Sequence, residues 1–282
     1  MQFLLNGRFV EDAEARVPVS DRGFLYGDAA FDTLSAYGGR PFRAQAHLQR
    51  LVQSAAALRI ELPVSIEQTE ADLQRVIDRN AVSEAVLRVC VSRGSGPRGP
   101  SIRGEFRPTY LIGCYPAPSK PSVPIRLQTV GVRRTPAQSL PPYAKTANYL
   151  NSILALAEAN DAGADEALML DQRGCIAECA YSNVFFVADG TLLTPSLESG
   201  IIAGITRSAI LELARDARIP VREADLEPAL IAEADETLVT NSVRGIVPVG
   251  AIDGRTFAAP GRVTALLSLR YWELVARETS FG

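Results

Sequence analysis

Lys145-Thr146-Ala147-Asn148-Tyr149-Leu150-Asn151 carries one of only two lysines in a chain of 282 residues, where arginine supplies every other permanently basic side chain. Lysine does what arginine cannot: its neutral amine condenses with an aldehyde, whereas a guanidinium stays charged and unreactive. The other lysine lies in Ala117-Pro118-Ser119-Lys120-Pro121-Ser122-Val123-Pro124, whose prolines imply an exposed linker and a solvated charge. Lys145 instead follows Pro141-Pro142-Tyr143-Ala144 and opens a run rich in Ala, Leu and Asn, so a loop hands it to a helix. Two readings of Lys145 stand at this point, a surface charge or an amine for covalent chemistry, and the neighbouring motifs must decide.

Outward from that stretch, the length favours two domains. A hydrophobic content of 47% against 22% charged residues is that of a soluble protein with a real core. No run approaches the roughly 20 apolar residues of a membrane span, and Met1-Gln2-Phe3-Leu4-Leu5-Asn6-Gly7 lacks the basic start of a signal peptide. A cytoplasmic location without a membrane partner is expected. The formal net charge of −3, with both signs spread along the chain, argues against nucleic acid. His47 is the single histidine, which excludes a multi-histidine zinc site and disfavours a serine-hydrolase triad. Cys175 and Cys179 have the spacing of half a metal site but no matching ligands, so no metal is expected.

Phe3-Leu4-Leu5 and Arg8-Phe9-Val10 around Asn6-Gly7 read as a β-hairpin. Val17 to Leu34 reads as a loop entering a strand. Leu48, Leu51, Ala55 and Leu58 recur at helical spacing over 44–58, with Arg50 off the stripe. A second helix is expected over 66–80 with Leu73, Val76 and Ile77 inward. Strands over 85–91 and 110–115 flank a cationic glycine-rich loop, in which Arg88, Arg93 and Arg98 are either solvated or suited to grip a carboxylate by their planar forks. Beyond the linker, short strands dominate, at 125–130, 166–170, 183–187 and 236–240, and Leu150, Ile153, Leu154 and Ala157 fit one helix face. Gly204-Ile205-Thr206-Arg207 opens a helix anchored by Ile210, Leu211 and Leu213; its first N–H groups suit either a plain cap or a phosphate. Asn241-Ser242-Val243-Arg244-Gly245 gathers further donors, and Trp272 on the last helix reads as packing. The fold class expected is α/β (α+β): a small α/β domain over 1–116, a linker over 117–124, and a larger domain rich in short strands over 125–282.

Five of these motifs in register resemble the fold-type IV pyridoxal-phosphate enzymes, which include branched-chain aminotransferases, D-amino-acid aminotransferases, (R)-selective amine transaminases and aminodeoxychorismate lyases. They are Asp21-Arg22-Gly23 through Tyr26-Gly27-Asp28, His47-Leu48-Gln49-Arg50-Leu51, Lys145 to Leu150, Glu178 to Asn183, and Gly204 to Arg207. The resemblance covers nearly the whole chain and decides for the covalent reading of Lys145. It implies a two-domain fold, pyridoxal 5′-phosphate as cofactor, Lys145 as the residue joined to it, and a homodimer that completes the site. By position it implies Glu178 facing the pyridine nitrogen, Arg50, Ile205, Thr206 and Ser242 around the phosphate, and Tyr149 near the 3-oxygen.

For the substrate, the resemblance divides. D-amino-acid aminotransferases hold the carboxylate with a tyrosine, an arginine and a histidine; Arg98 matches the arginine, while Phe31 and Pro100 replace the others. Branched-chain enzymes carry a tyrosine two residues before an arginine; Arg88 is present, but Val86 replaces the tyrosine and Ser35 stands where another arginine is common. Aminodeoxychorismate lyases resemble the chain at Arg93-Gly94 to Arg98-Gly99 and at Thr240-Asn241-Ser242, yet Tyr149 departs from their pattern. The expectation is a transaminase exchanging amino groups between amino acids, of D configuration by preference, and 2-oxo acids, with Phe31, Arg88 and Arg98 at the substrate. Branched-chain L-amino-acid aminotransferase, 4-amino-4-deoxychorismate lyase and (R)-selective amine transaminase are its alternatives.

Overall fold

The computed structural model describes residues 1–119 and 123–280; Lys120 lies outside them. The chain divides into two compact units, Met1–Ala117 with Ala144–Asn148 and Val275–Gly282, and Pro118–Tyr143 with Tyr149–Leu274. The sequence reading put Lys145 in the later domain, but its backbone bonds tie it to the first unit. Lys145 O accepts the Phe31 N–H at 3.1 Å, Ala147 N donates to Ala29 O at 2.8 Å, and Lys145 N donates to Ser54 Oγ at 2.9 Å.

The first unit runs β1 (Gln2–Leu5), β2 (Arg8–Glu11), α1 (Arg22–Tyr26), β3 (Ala29–Tyr37), β4 (Arg40–Pro41), α2 (Ala44–Ala57), α3 (Ile66–Asn80), β5 (Ala85–Ser95) and β6 (Arg107–Pro116). Asn6 and Gly7 take φ of 48° and 80°, the positive values of the expected hairpin turn. Asp21 accepts the Gly23 N–H and starts the short helix α1 within what the sequence reads as a loop. The strands form one six-stranded sheet in the order β2-β1-β6-β5-β3-β4. Side chains alternate across it. Leu4, Ala30, Leu34, Leu87, Val89 and Ile112 form one core with Leu48, Leu51 and Ala55 of α2 and Leu73, Val76 and Ile77 of α3.

Asp32 falls in that same alternating row between Ala30 and Leu34, and it is wholly buried. Arg50, read from the sequence as off the helix stripe, is only 8% exposed and answers it. Its Nε and Nη2 donate to the two Asp32 oxygens at 2.8 Å each, and His47 Nδ1 contacts Oδ1 at 2.8 Å. Burial pushes the Asp32 carboxyl up, but Arg50 and His47 together outweigh it and hold the group below the ordinary carboxylate range. Burial pushes His47 down despite Asp32, so it sits as a neutral N–H donor. Arg93 corrects another expectation: it does not stand ready for a carboxylate but is buried, binding Asp28 through Nε and Nη2 and the carbonyls of Leu58 and Arg59.

The second unit contains β7 (Ile125–Thr129), α4 (Leu150–Asp161), β8 (Glu166–Leu170), β9 (Ile176–Cys179), β10 (Asn183–Ala188), β11 (Thr191–Pro195), α5 (Ile205–Asp216), β12 (Val221–Ala224), α6 (Leu230–Glu233), β13 (Glu236–Asn241), β14 (Gly245–Ile252), β15 (Arg255–Thr256) and α7 (Arg262–Thr279), whose last residues group with the first unit. Its sheet runs β12-β11-β10-β13-β14-β7-β8-β9, with β15 on β14. Leu127, Leu168, Phe186, Val239 and Val247 share its core. Helix α4 reverses the sequence reading: Ser152, Ala155 and Ala159 are buried, whereas Leu150, Ile153 and Leu154 are 70%, 56% and 57% exposed. Glu236 anchors the start of α7, accepting Val263 N, Thr264 N and Thr264 Oγ1. Among the described residues no helix is long and apolar enough to cross a membrane.

Two expected outcomes follow from these buried carboxylates. Asp32→Asn leaves Arg50 without its counter-ion and lowers unfolding free energy by about 3 kcal/mol, read from the urea midpoint of the cofactor-free protein. Glu236→Ala removes a helix cap and costs about 1–2 kcal/mol by the same measurement.

Candidate active site

In the first unit, the strand bonds that capture 145–147 bring Lys145 beside β3. Phe31 lies on the sheet face opposite the core, and Lys145 Nζ is 4.7 Å from its ring centroid. Arg88, on β5 and opposite Thr33, reaches diagonally over the same ring with its guanidinium carbon 3.6 Å from the centroid. No hydrogen bond or ion pair among the described residues uses the Arg88 N–H groups. The stack covers the flat face of the fork and leaves its edge, the part that grips a carboxylate, directed away from the ring. Arg50 is linked to Lys145 from below: Ser54 Oγ donates to the Arg50 carbonyl at 2.8 Å and accepts the Lys145 N–H. The structure thus gathers Lys145, Phe31, Arg88 and Arg50. Arg98 is not brought into that group by any described contact; it is exposed on the loop after β5.

In the second unit, Glu178 lies one residue before the end of β9 as a buried carboxylate. Its Oε1 meets Arg134 Nε at 2.7 Å, and its Oε2 accepts Asn183 Nδ2 and the Ile202 N–H at 3.1 Å each. Asn183 also donates to Ile202 O at 3.0 Å, so one amide fixes both the carboxylate and the segment leading into α5. That segment passes so close that a Cβ at Gly204 would collide with Asn183 Oδ1. Gly204 is the N-cap of α5 and offers no capping side chain, which leaves the first-turn amides at Ile205 and Thr206 uncapped by a side chain. Thr206 is buried. Ser242 sits half-buried on the turn from β13 to β14, where Asn241 Oδ1 accepts Val243 N at 3.0 Å and Arg244 N at 2.8 Å. Tyr149 is half-buried at the N-cap of α4 and its carbonyl accepts the Ile153 N–H.

Sequence reasoning missed Arg134, Asn183 and the Asp32–His47 contact. Arg133-Arg134 carries no local pattern that separates a surface pair from a buried ion pair. Asp32 did carry one, a charge in phase with Ala30 and Leu34 on an apolar strand, which requires a buried counter-charge.

The sequence matches the family model for class IV amino-transferases over residues 29–252. A Methanocaldococcus jannaschii protein provisionally named a branched-chain-amino-acid aminotransferase is 38% identical over 279 residues, covering 97% of this chain and 96% of its own. A D-alanine aminotransferase of Listeria monocytogenes is 31% identical over 285 residues, covering 98% and 97%. The crystal structure of the Escherichia coli branched-chain amino acid aminotransferase aligns with a TM-score of 0.94 at 30% identity, covering 99% of this chain and 96% of that one. With the matched region taking in most of the sequence and both relatives aligned over nearly their full lengths, the chain belongs to the class IV aminotransferases.

Proposed function

We propose that this aminotransferase uses pyridoxal 5′-phosphate to move amino groups between amino acids, of D configuration by preference, and 2-oxo acids. The donors of the second unit fit the two charged ends of that cofactor. The uncapped start of α5, the Thr206 hydroxyl and the Ser242 turn suit a phosphate dianion; Arg50, which the resemblance also assigns to the phosphate, has its Nε and Nη2 committed to Asp32. Glu178, held by Arg134 and two N–H donors, suits a protonated ring nitrogen. When bound, the cofactor supplies an aldehyde carbon and an electron-withdrawing ring that stabilises negative charge at the substrate α-carbon. Lys145, once neutral, takes the proton from that α-carbon and returns it at the cofactor's C4′ atom. Glu178 keeps the ring nitrogen protonated, and the Tyr149 hydroxyl orients the 3-oxygen.

The observation that carries an amino-acid substrate is Arg88, stacked 3.6 Å over Phe31 beside Lys145 with its N–H groups making no described hydrogen bond. A half-buried fork stacked in that way selects a carboxylate and disfavours simple amines. The preference for D-amino acids is supported by the loss of two branched-chain features at Ser35 and Val86; Arg98, the arginine that the resemblance matches to the D-specific enzymes, is exposed on its loop. A branched-chain L-amino-acid reading is the second, favoured by the 38% identity to the Methanocaldococcus protein. We also propose a homodimer. The exposed Leu150, Ile153 and Leu154 on α4 form an apolar face of the kind that a second copy covers.

Three outcomes test this reading. Lys145→Ala abolishes both the visible absorbance change on adding pyridoxal 5′-phosphate and amine exchange; retention of either at wild-type level removes Lys145 from its role. Arg88→Ala lowers kcat/KM for amino-acid donors by about 10- to 150-fold, the range of one charged hydrogen-bonding partner, while leaving a carboxylate-free amine unchanged. In single-turnover spectra, D-alanine converts the cofactor faster than L-leucine or aminodeoxychorismate; conversion by L-leucine with none by D-alanine selects the branched-chain reading.

A further inference from the structure

Glu166, the first residue of β8, is wholly buried and takes no part in the chemistry above. Its Oε1 accepts the Tyr181 N–H at 3.0 Å and its Oε2 accepts the Ser182 hydroxyl at 3.1 Å. Ser182 Oγ in turn accepts Asn241 Nδ2 at 3.1 Å. That last bond fixes the orientation of the amide, because Asn241 Oδ1 must then face the Val243 and Arg244 N–H groups it binds. A relay therefore runs from buried Glu166 and Ser182 through half-buried Asn241 to the turn that carries Ser242.

The relay depends on the charge of Glu166. A carboxylate has only lone pairs, so Ser182 must donate to it, leaving an oxygen lone pair for Asn241. A protonated Glu166 becomes the donor to Ser182. The serine oxygen then takes both that proton and the Asn241 NH2 group on its two lone pairs, its own hydrogen loses the carboxylate that oriented it, and the Asn241 anchor to the turn weakens. Burial is the largest influence on the Glu166 carboxyl, which is pushed up to about 7 against the Tyr181 and Ser182 bonds and the charge of Arg244, with Glu178 adding to the rise. Burial pushes the Cys179 thiol well up and the Tyr181 phenol up to about 12, while β7 sets Leu127 opposite Glu166.

We propose that Glu166 is a positioning residue for the Asn241–Arg244 turn: ionised, it orients Ser182 and Asn241 so that the turn grips the cofactor phosphate, and protonated, it releases that brace. The proposal rests on the reading that Ser242 helps to hold the phosphate.

The test is calorimetric titration of cofactor-free protein with pyridoxamine 5′-phosphate and with pyridoxamine, from pH 5.5 to 8.5, for wild type, Glu166→Gln and Ser242→Ala. Neither ligand has the aldehyde that reacts with Lys145, and their difference isolates the phosphate. Ionisation of the ligand itself is common to all proteins, so the wild-type to variant ratio at each pH is the readout. Glutamine presents an NH2 group to Ser182 and stands for the protonated acid. The expected phosphate-dependent affinity of wild type exceeds that of Glu166→Gln by about five- to tenfold at pH 8.5 and meets it by pH 5.5, with pyridoxamine binding equal throughout.

Thermal unfolding separates this from misfolding. A carboxyl raised on folding stabilises the native state below its unfolded value, and that contribution is lost as pH rises from about 4.5 through about 7. Glu166→Gln escapes the loss and unfolds at a higher temperature than wild type at pH 8, even while it binds the phosphate more weakly. A wild-type to Glu166→Gln ratio that does not change with pH, alongside weakened binding by Ser242→Ala, overturns the role of Glu166 alone. Unchanged phosphate-dependent binding by Ser242→Ala overturns the reading of that turn, and the Glu166 proposal with it.

Discussion

A carboxylate in the middle of an apolar strand row has to be neutralised, and the first unit is arranged around that requirement. Asp32 cannot be solvated, so α2 must present Arg50 and His47 to it at bonding distance. Once α2 is set by those bonds, Ser54 one turn after Arg50 has a fixed position and captures the Lys145 N–H. The backbone of β3 captures the same segment from the other side. Lys145 is therefore located by a buried charge pair. Such a pair adds little net stability compared with an apolar core, but removing one half is costly, and that asymmetry gives α2 a single register on the sheet.

The second unit meets a different electrostatic problem with the same economy of parts. It presents positive potential at the start of α5 and at the Ser242 turn, and negative charge at Glu178. Asn183 stands between the first and the last of these, donating to the carboxylate and to the carbonyl just before the helix. Its own backbone is paired in β10, opposite Thr240. One strand residue thereby sets both a negative group and the approach to the start of α5, which is possible only because Gly204 lets the chain pass within contact of it.

Much of the fold was legible in the sequence because it depends on local rules. Asn6-Gly7 dictated a primed turn, alternation marked β5, and the spacing of Leu73, Val76 and Ile77 marked the buried side of α3. Lys145 and Glu178 drew notice through rarity and through motif order, and the structure sets the first beside Phe31 and holds the second as a buried carboxylate. What escaped was set by partners distant in sequence. Arg50 and Arg93 look alike as helix or loop arginines, yet one meets Asp32 and the other Asp28. The apolar residues of α4 obey helical spacing, but the alanine side is the one that packs, since its small side chains let the helix approach Ala167 and Met169 of β8. The membership of Lys145 was also invisible, because a five-residue segment bonded to a distant strand leaves no periodic trace.

The order in which the chain visits its two units bears on how it can fold. Residues 144–148 and 275 onward complete the first unit, although everything between them builds the second. During synthesis the early sheet and its two helices can collapse, but the segment carrying Lys145 joins β3 only after the linker and the strand β7 have emerged. The last helix closes the first unit only when the whole chain is available. Contacts of such long sequence separation are slow to form and raise the contact order of the smaller unit above what its local hairpins suggest. The unit that emerges first is therefore the last to be completed, and its lysine cannot be held in place before about half of the polypeptide exists.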